Sequence, residues 1–250
     1  MLHRGVGVVQ ARVEEVFTLQ KEGCKPNGLH YDAARDELLV ADQADGELLT
    51  VSRPQSTGRT ESRFAVGSPK PSGVTRCLLG GRDTVFMSGT YGRVLTLVRD
   101  GVAGGEITEI DHRGVGTGIV DFAADLVKGT HTGYHGLEWD GSRLWAASPP
   151  GKAIFCLTLE DERVTACDFF PVAFGNRPHG LAWADEDKTQ LWCNDTTLGA
   201  VYRYECRTGA CLEIMVLPED APESHGMTLV GDELWYCEDH SGKICRVLTA

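Results

Sequence analysis

The sequence of 250 residues contains no long apolar run. No stretch approaches the roughly 20 apolar residues that a bilayer-spanning helix needs, and the opening Met-Leu-His-Arg-Gly-Val-Gly-Val-Val-Gln lacks the long apolar core of a secretory leader. These gaps predict a cytoplasmic protein that makes no membrane contact. Basic charge is also scarce. The 24 Lys and Arg face 36 Asp and Glu, a net −12 at pH 7, so the summed field repels phosphate backbones and nucleic acid is not an expected partner. There is no CxxC pair, and the nine cysteines are odd in number in a chain that is not small, which excludes a zinc ribbon and a disulfide scaffold. Cys156, Cys193, Cys237 and Cys245 lie in apolar runs and read as buried thiols. Cys206 and Cys211 bracket a turn, but a cytosolic address argues against a bridge between them.

What is present is a repeat. A polar residue, Gly and an apolar residue recur at Asn27-Gly28-Leu29, Ser72-Gly73-Val74, His135-Gly136-Leu137, His179-Gly180-Leu181 and His225-Gly226-Met227. Each is followed by an apolar segment such as Leu38-Leu39-Val40 or Leu191-Trp192-Cys193, then by a Gly-containing turn and a third apolar segment. Short β-rich runs with turns at close spacing describe an all-β chain, and five copies predict a single β-propeller domain over residues 1–250 with about five blades. Outer strands are expected near 63–66, 106–111, 164–170 and 212–217. The last unit has none before the chain reaches Ala250, and the unclaimed Arg12–Leu19 segment is expected to supply it, closing the ring and removing open strand edges. Trp145, Trp192 and Trp235 recur in the second strand and read as packing between blades.

Repeat starts are separated by 45, 63, 44 and 46 residues. The surplus in the second interval falls at 113–134, where Ile119, Val120, Phe122, Ala123, Leu126 and Val127 follow a helical period. A short helix acting as a lid is expected there, with six blades as the alternative if the insert pairs as strands.

The first strand of a propeller blade lines the channel, so the five repeat openings converge at one mouth. Three are histidine. His135, His179 and His225 predict a metal site, because neutral imidazole suits transition metals whereas calcium and magnesium prefer oxygen. Asn27 and Ser72, at the other two openings, are candidate substrate-binding residues. Asp195 and Glu238, ending second strands on the same face, are candidates to move protons. Tyr134 and Arg177 flank histidine openings and are candidates to contact substrate.

Arg177-Pro178-His179-Gly180-Leu181-Ala182-Trp183, followed by Leu191-Trp192 and Val201-Tyr202-Arg203-Tyr204, resembles the repeat of the gluconolactonase, regucalcin and strictosidine synthase-like propellers, of NHL type. The resemblance runs over most of residues 24–250. It implies a divalent ion on the axis held by Glu, Asn and Asp. Here His179 stands where that family has Asn, His225 where it has Asp, Asn27 near the Glu position and His135 where another Asn is expected. Those departures are similar to the three-histidine zinc site of the peptidyl-α-hydroxyglycine lyase propeller. The resulting expectation is a metal-dependent lyase or hydrolase acting on a small oxygenated metabolite, with zinc first and iron, copper, nickel or manganese as alternatives. A non-catalytic binding propeller and an iron or copper oxidoreductase are the rival readings.

Overall fold

The computed structural model describes residues 5–90, 94–100, 105–111, 133–160 and 162–249. Strand β1 (Gly7–Thr18) opens the chain. Next come two four-stranded antiparallel sheets, β2 (Pro26–Asp32), β3 (Glu37–Asp42), β4 (Glu47–Ser52) and β5 (Thr60–Ala65), then β6 (Pro71–Leu79), β7 (Arg82–Gly89), β8 (Val94–Arg99) and β9 (Glu106–Asp111). A third holds β10 (Leu137–Trp139), β11 (Arg143–Ser148), β12 (Ala153–Glu160) and β13 (Arg163–Pro171). The last two units join in one eight-stranded sheet of β14 (Pro178–Trp183), β15 (Gln190–Asp195), β16 (Ala200–Glu205), β17 (Cys211–Val216), β1, β20 (Lys243–Thr249), β19 (Glu233–Cys237) and β18 (Met227–Val230). No helix occurs among the described residues.

Strand composition follows position. Second strands such as β3 are apolar and buried almost throughout, because both faces pack on neighbouring sheets, whereas the outer strand β5 is exposed or half-buried along its length. The expected closure is present. Strand β1 pairs antiparallel with β20, from Ala11 opposite Thr249 to Thr18 opposite Lys243. Its first residues also pair in parallel with β17, Gly7 opposite Glu213 through Gln10 opposite Val216. One strand therefore completes the last unit and welds it to the unit before, leaving neither edge open there.

Inner strands surround the axis in order. Strand β2 touches β6, β6 touches β10, β10 touches β14, β14 touches β18, and β18 returns to β2. The repeat glycines explain how closely they approach. A Cβ built on Gly73 would lie 1.9 Å from the carbonyl oxygen of His135, one on Gly136 2.2 Å from that of His179, and one on Gly180 2.4 Å from that of His225. Gly226 meets the Cα of Gly28 at 2.4 Å, and Gly28 meets the carbonyl oxygen of Ser72 at 2.7 Å, so the contacts run the full circle. This glycine collar leaves no space on the axis for a water molecule. The expected lid and the six-blade alternative both rest on the 113–134 insert, nearly all of which lies outside the described residues.

Trp235 is buried against Phe17 of β1, with ring centroids 6.3 Å apart, and Trp145 packs edge-on to Trp183 of the next unit at 5.9 Å, so both fill the spaces between sheets. All nine cysteines are thiols, Cys206 and Cys211 included.

Candidate functional site

The five repeat openings lie just above the collar and form a ring of buried side chains in the order Asn27, Ser72, His135, His179, His225. Each sits at the start of an inner strand, where the following glycine brings neighbouring backbones close enough for side chains of adjacent units to bond. Ser72 Oγ donates to Asn27 Oδ1. Asn27 Nδ2, which only donates, reaches His225 Nδ1 at 3.1 Å, so that nitrogen accepts. With the single Ser72 proton committed to Asn27, the 2.9 Å contact from His135 Nδ1 to Ser72 Oγ requires the histidine to donate. That same Nδ1 lies 2.8 Å from His179 Nε2, which accepts. The circle closes through edge-on imidazoles, His135 on His179 at 4.4 Å between centroids and His179 on His225 at 4.7 Å.

This pattern assigns tautomers. His135 keeps a bare lone pair at Nε2, while His179 carries its proton at Nδ1 and His225 at Nε2. All three of those nitrogens are buried and have no hydrogen-bond partner. Burial holds the His135 and His179 imidazoles well below the usual histidine range, reinforced by the charge of Arg177 nearby. Burial lowers His225 as well, with Asp239 and Glu223 opposing. The ring is therefore neutral at pH 7.

Three neutral imidazoles, each with one unpartnered nitrogen, fit a transition-metal donor set. Their spacing is that of an unliganded ring. Two nitrogens on one tetrahedral zinc stand about 3.3 Å apart, given Zn–N of about 2.0–2.1 Å, so the 2.8 Å pair is a hydrogen bond and not a ligand pair. Among the described residues, the groups whose donor atoms all lie within 4.8 Å are Glu238 with Asp239 and His240, and Asp42 with Asp45 and Glu47, and the histidine trio is more open. Ligation requires the imidazoles to turn inward and His179 and His225 to relocate their protons. The Asp42 group is occupied by the buried Lys21 ammonium, which bonds Asp42 and stands 2.7 Å from Asp45 and 3.0 Å from Glu47.

The four flanking candidates are held in different ways. Asp195 is buried, and both its oxygens are taken by backbone: Oδ2 accepts from the amides of Asn176 at 2.5 Å and Arg177 at 2.6 Å, Oδ1 from those of Thr197 and Leu198 at 3.0 Å. Glu238 accepts from the His240 and Ser241 amides, each at 2.7 Å, and from the Ser241 hydroxyl. Burial alone would raise the Glu238 pKa, but these bonds outweigh it and hold the carboxyl below its usual range. Both residues organise the turns that follow their strands, as Asp42 does in the first unit by accepting from the Lys25 and Ala44 amides. Tyr134 is wholly buried with its ring 5.5 Å from that of Phe155, a packing position between sheets. Arg177 does stand on the histidine face, half exposed, its guanidinium 3.9 Å from Glu223.

Sequence reasoning missed the carboxylates that do face the ring. Glu223 Oε1 and Asp239 Oδ1 lie 3.4 Å and 3.5 Å from His225 Nε2. Asp239 Oδ1 is buried without a hydrogen-bond partner. Their only signal was position, two residues before His225 and one after Glu238. Ser88 and Asn194, the latter with no signal in the sequence, tie units together. Ser88 accepts from the Gly73 amide and donates to the His135 carbonyl, both at 2.7 Å, and Asn194 links the Gly180 amide to the His225 carbonyl at 2.5 Å and 2.7 Å. These bonds hold the backbone beneath the histidines.

Comparison with solved structures gives a glutaminyl cyclase of Myxococcus xanthus, 11% identical, with a TM-score of 0.67 over 97% of this chain and 99% of that one. A gluconolactonase of Xanthomonas campestris is 15% identical with a TM-score of 0.55, over 96% and 80% of the two chains. A virginiamycin B lyase of Staphylococcus aureus is 14% identical at 0.50, over 96% and 99%. This chain shares their propeller fold. Comparison with protein-family models and with curated proteins gives no match. At such identities the likeness carries the fold and leaves the chemistry to the residues of the ring.

Proposed function

We propose that the protein is a metal-dependent enzyme, a hydrolase or lyase of small oxygenated metabolites, whose active centre is the histidine mouth of the propeller. The observation that carries this reading is the set of three buried, neutral imidazoles on successive inner strands, each keeping a nitrogen that no protein group satisfies. Leaving such atoms unpaired in a closed interior costs free energy, and a site that gains a ligand for them recovers it. The neighbours in fold include a lactonase and a lyase by name, which agrees with the two reaction classes.

His135, His179 and His225 would hold the ion, and Ser72 and Asn27 would fix the His135 and His225 rings by their bonds to Nδ1. A divalent ion held there supplies Lewis-acid polarisation of a substrate carbonyl or hydroxyl. Arg177, half exposed beside the ring, is placed to orient an oxygen-rich or anionic substrate. Asp239 Oδ1, which makes no hydrogen bond and lies 3.5 Å from His225 Nε2, would take a proton from a substrate hydroxyl or a water and return it to the leaving group. The glycine collar below closes the site to water from the far side.

The test is elemental analysis of the purified protein beside a His135→Ala, His179→Ala, His225→Ala variant. About one equivalent of zinc in the wild type and none in the variant is the expected result. Iron or copper in place of zinc points to an oxidoreductase. No metal in either sample after reconstitution overturns the proposal in favour of a non-catalytic binding propeller.

A further inference from the structure

The opposite end of the inner strands carries a second constellation. Two residues beyond the collar glycines stand His30, Thr75, Glu138, Ala182 and Thr228, one from each unit. Around them opens a cavity of about 460 Å³ lined by residues of all five units, within the size range of small-molecule sites. The collar leaves no passage between this cavity and the histidine mouth, so whatever it holds is not en route to the ring.

Its deepest acidic group is Glu138, 4% exposed. No side chain among the described residues bonds to its carboxyl, which leans only on the Trp139 amide. Two cations share the lining, and neither bonds Glu138. Lys188 Nζ donates to the Trp139 carbonyl at 2.9 Å, and Arg76 is held by Asp83 at 2.6 Å with Glu37 at 3.3 Å and Asp32 at 3.5 Å. His30, whose Nδ1 lies 3.4 Å from the Thr75 hydroxyl, is neutral, since burial lowers its pKa to about 4. The walls are aromatic, with Trp139, Trp183 and Tyr31, and the rim carries Asp185, Glu186 and Asp232. Asp185 is tied to the Thr189 and Gln190 amides, whereas Glu186 and Asp232 are exposed. A buried carboxyl that no side chain bonds, aromatic side chains in the same lining and an acidic rim in a chain of net charge −12 together favour an organic cation.

We propose that this far mouth is a second ligand site, selective for a small organic ammonium, with Glu138 as its anchoring carboxyl. The site is separate from the histidine ring and stands whether or not that ring holds a metal. Burial raises the Glu138 pKa to about 8 against the charge of Lys188 and the Trp139 amide, so the carboxyl is mostly protonated at pH 7. An ammonium draws out the carboxylate, and binding then releases a proton from the site.

The experiment is titration calorimetry of phenethylamine into the full chain at pH 7, in phosphate and in Tris, whose different ionisation enthalpies report the proton count. Expected are saturable binding, net proton release, no binding of the neutral analogue phenethyl alcohol, and at least a fivefold loss of affinity with no proton release in Glu138→Gln. Absence of amine binding at millimolar concentration, less than a fivefold loss in the variant, or equal binding of the alcohol overturns the proposal. If Glu138→Gln fails to fold, the proton count in the wild type decides, a count near zero being the refuting result. The triple histidine variant must bind the amine as the wild type does, and a loss there would place the amine at the other mouth and end the proposal.

Discussion

Acidification should destabilise the metal-free protein through its axial histidines, by an amount that the structure sets. His135 and His179 are buried and neutral, with folded-state pKa values well below 6.5. A depressed histidine pKa means that the unfolded chain takes up the proton first. The stabilising contribution is therefore intact above about pH 6.5 and is lost as pH falls below it, at about 1.4 kcal/mol per pH unit for each histidine until the folded-state value is reached. Between pH 7 and pH 5 that is about 2 kcal/mol per residue, or up to about 4 kcal/mol for the two. Urea unfolding followed by tryptophan fluorescence, after chelator treatment, measures it in the wild type and in His135→Gln, His179→Gln. Glutamine does not titrate, so the double variant should lose about 4 kcal/mol less over the same interval. Groups left untouched and remote from the ring, among them His30 and Glu138, contribute equally to both proteins and cancel. Equal pH dependence in the two proteins would refute the reasoning, because it would mean that the imidazoles are solvated or charged in the folded state.

Three further outcomes test the architecture. Gly136→Ala places a Cβ where the His179 carbonyl oxygen lies 2.2 Å away; separating the two inner strands should lower unfolding free energy by about 3 kcal/mol in denaturant titration. Asp195→Asn turns an amide NH₂ or a weaker acceptor toward four backbone N–H groups, and should reduce stability by about 2–4 kcal/mol with a lower thermal midpoint, whereas a proton carrier would leave stability near the wild-type value. Glu138→Gln removes a carboxyl whose folded pKa, about 8, is raised above its unfolded value. The Glu138 contribution is fully present below about pH 4.5 and lost as pH rises through 8, so the variant should gain up to about 3 kcal/mol on the wild type between pH 4.5 and pH 7 by the same denaturant assay.

Much of the architecture is legible in the sequence because its causes are local. Alternating turns and apolar runs mark the strands, and an N-terminal strand without a partner beside a final unit one strand short leaves one way to satisfy both edges. The histidine ring is legible for a related reason: the repeat itself brings symmetry-equivalent residues to one mouth. Side-chain roles at the flanks are less readable. Asp195 and Glu238 look from the sequence like free carboxylates on the correct face, but their function depends on which backbone amides curl back toward them, and the chain trace decides that. Tyr134 and Arg177 each adjoin an opening residue of the ring, yet one ring is wholly buried against Phe155 while the other side chain stays half exposed on the face.

The sequence by itself determined the strand order, the repeat and the convergence of Asn27, Ser72, His135, His179 and His225, since these follow from periodicity and from glycines that alone permit the inner strands to meet. Only the tertiary structure decided which ring nitrogens stay unpartnered, that Asp239 and Glu223 come within 3.5 Å of His225 Nε2, and that Glu138 lies buried at the far mouth. Hydrogen-bond saturation and desolvation depend on groups brought together from distant parts of the chain, and no local pattern encodes them.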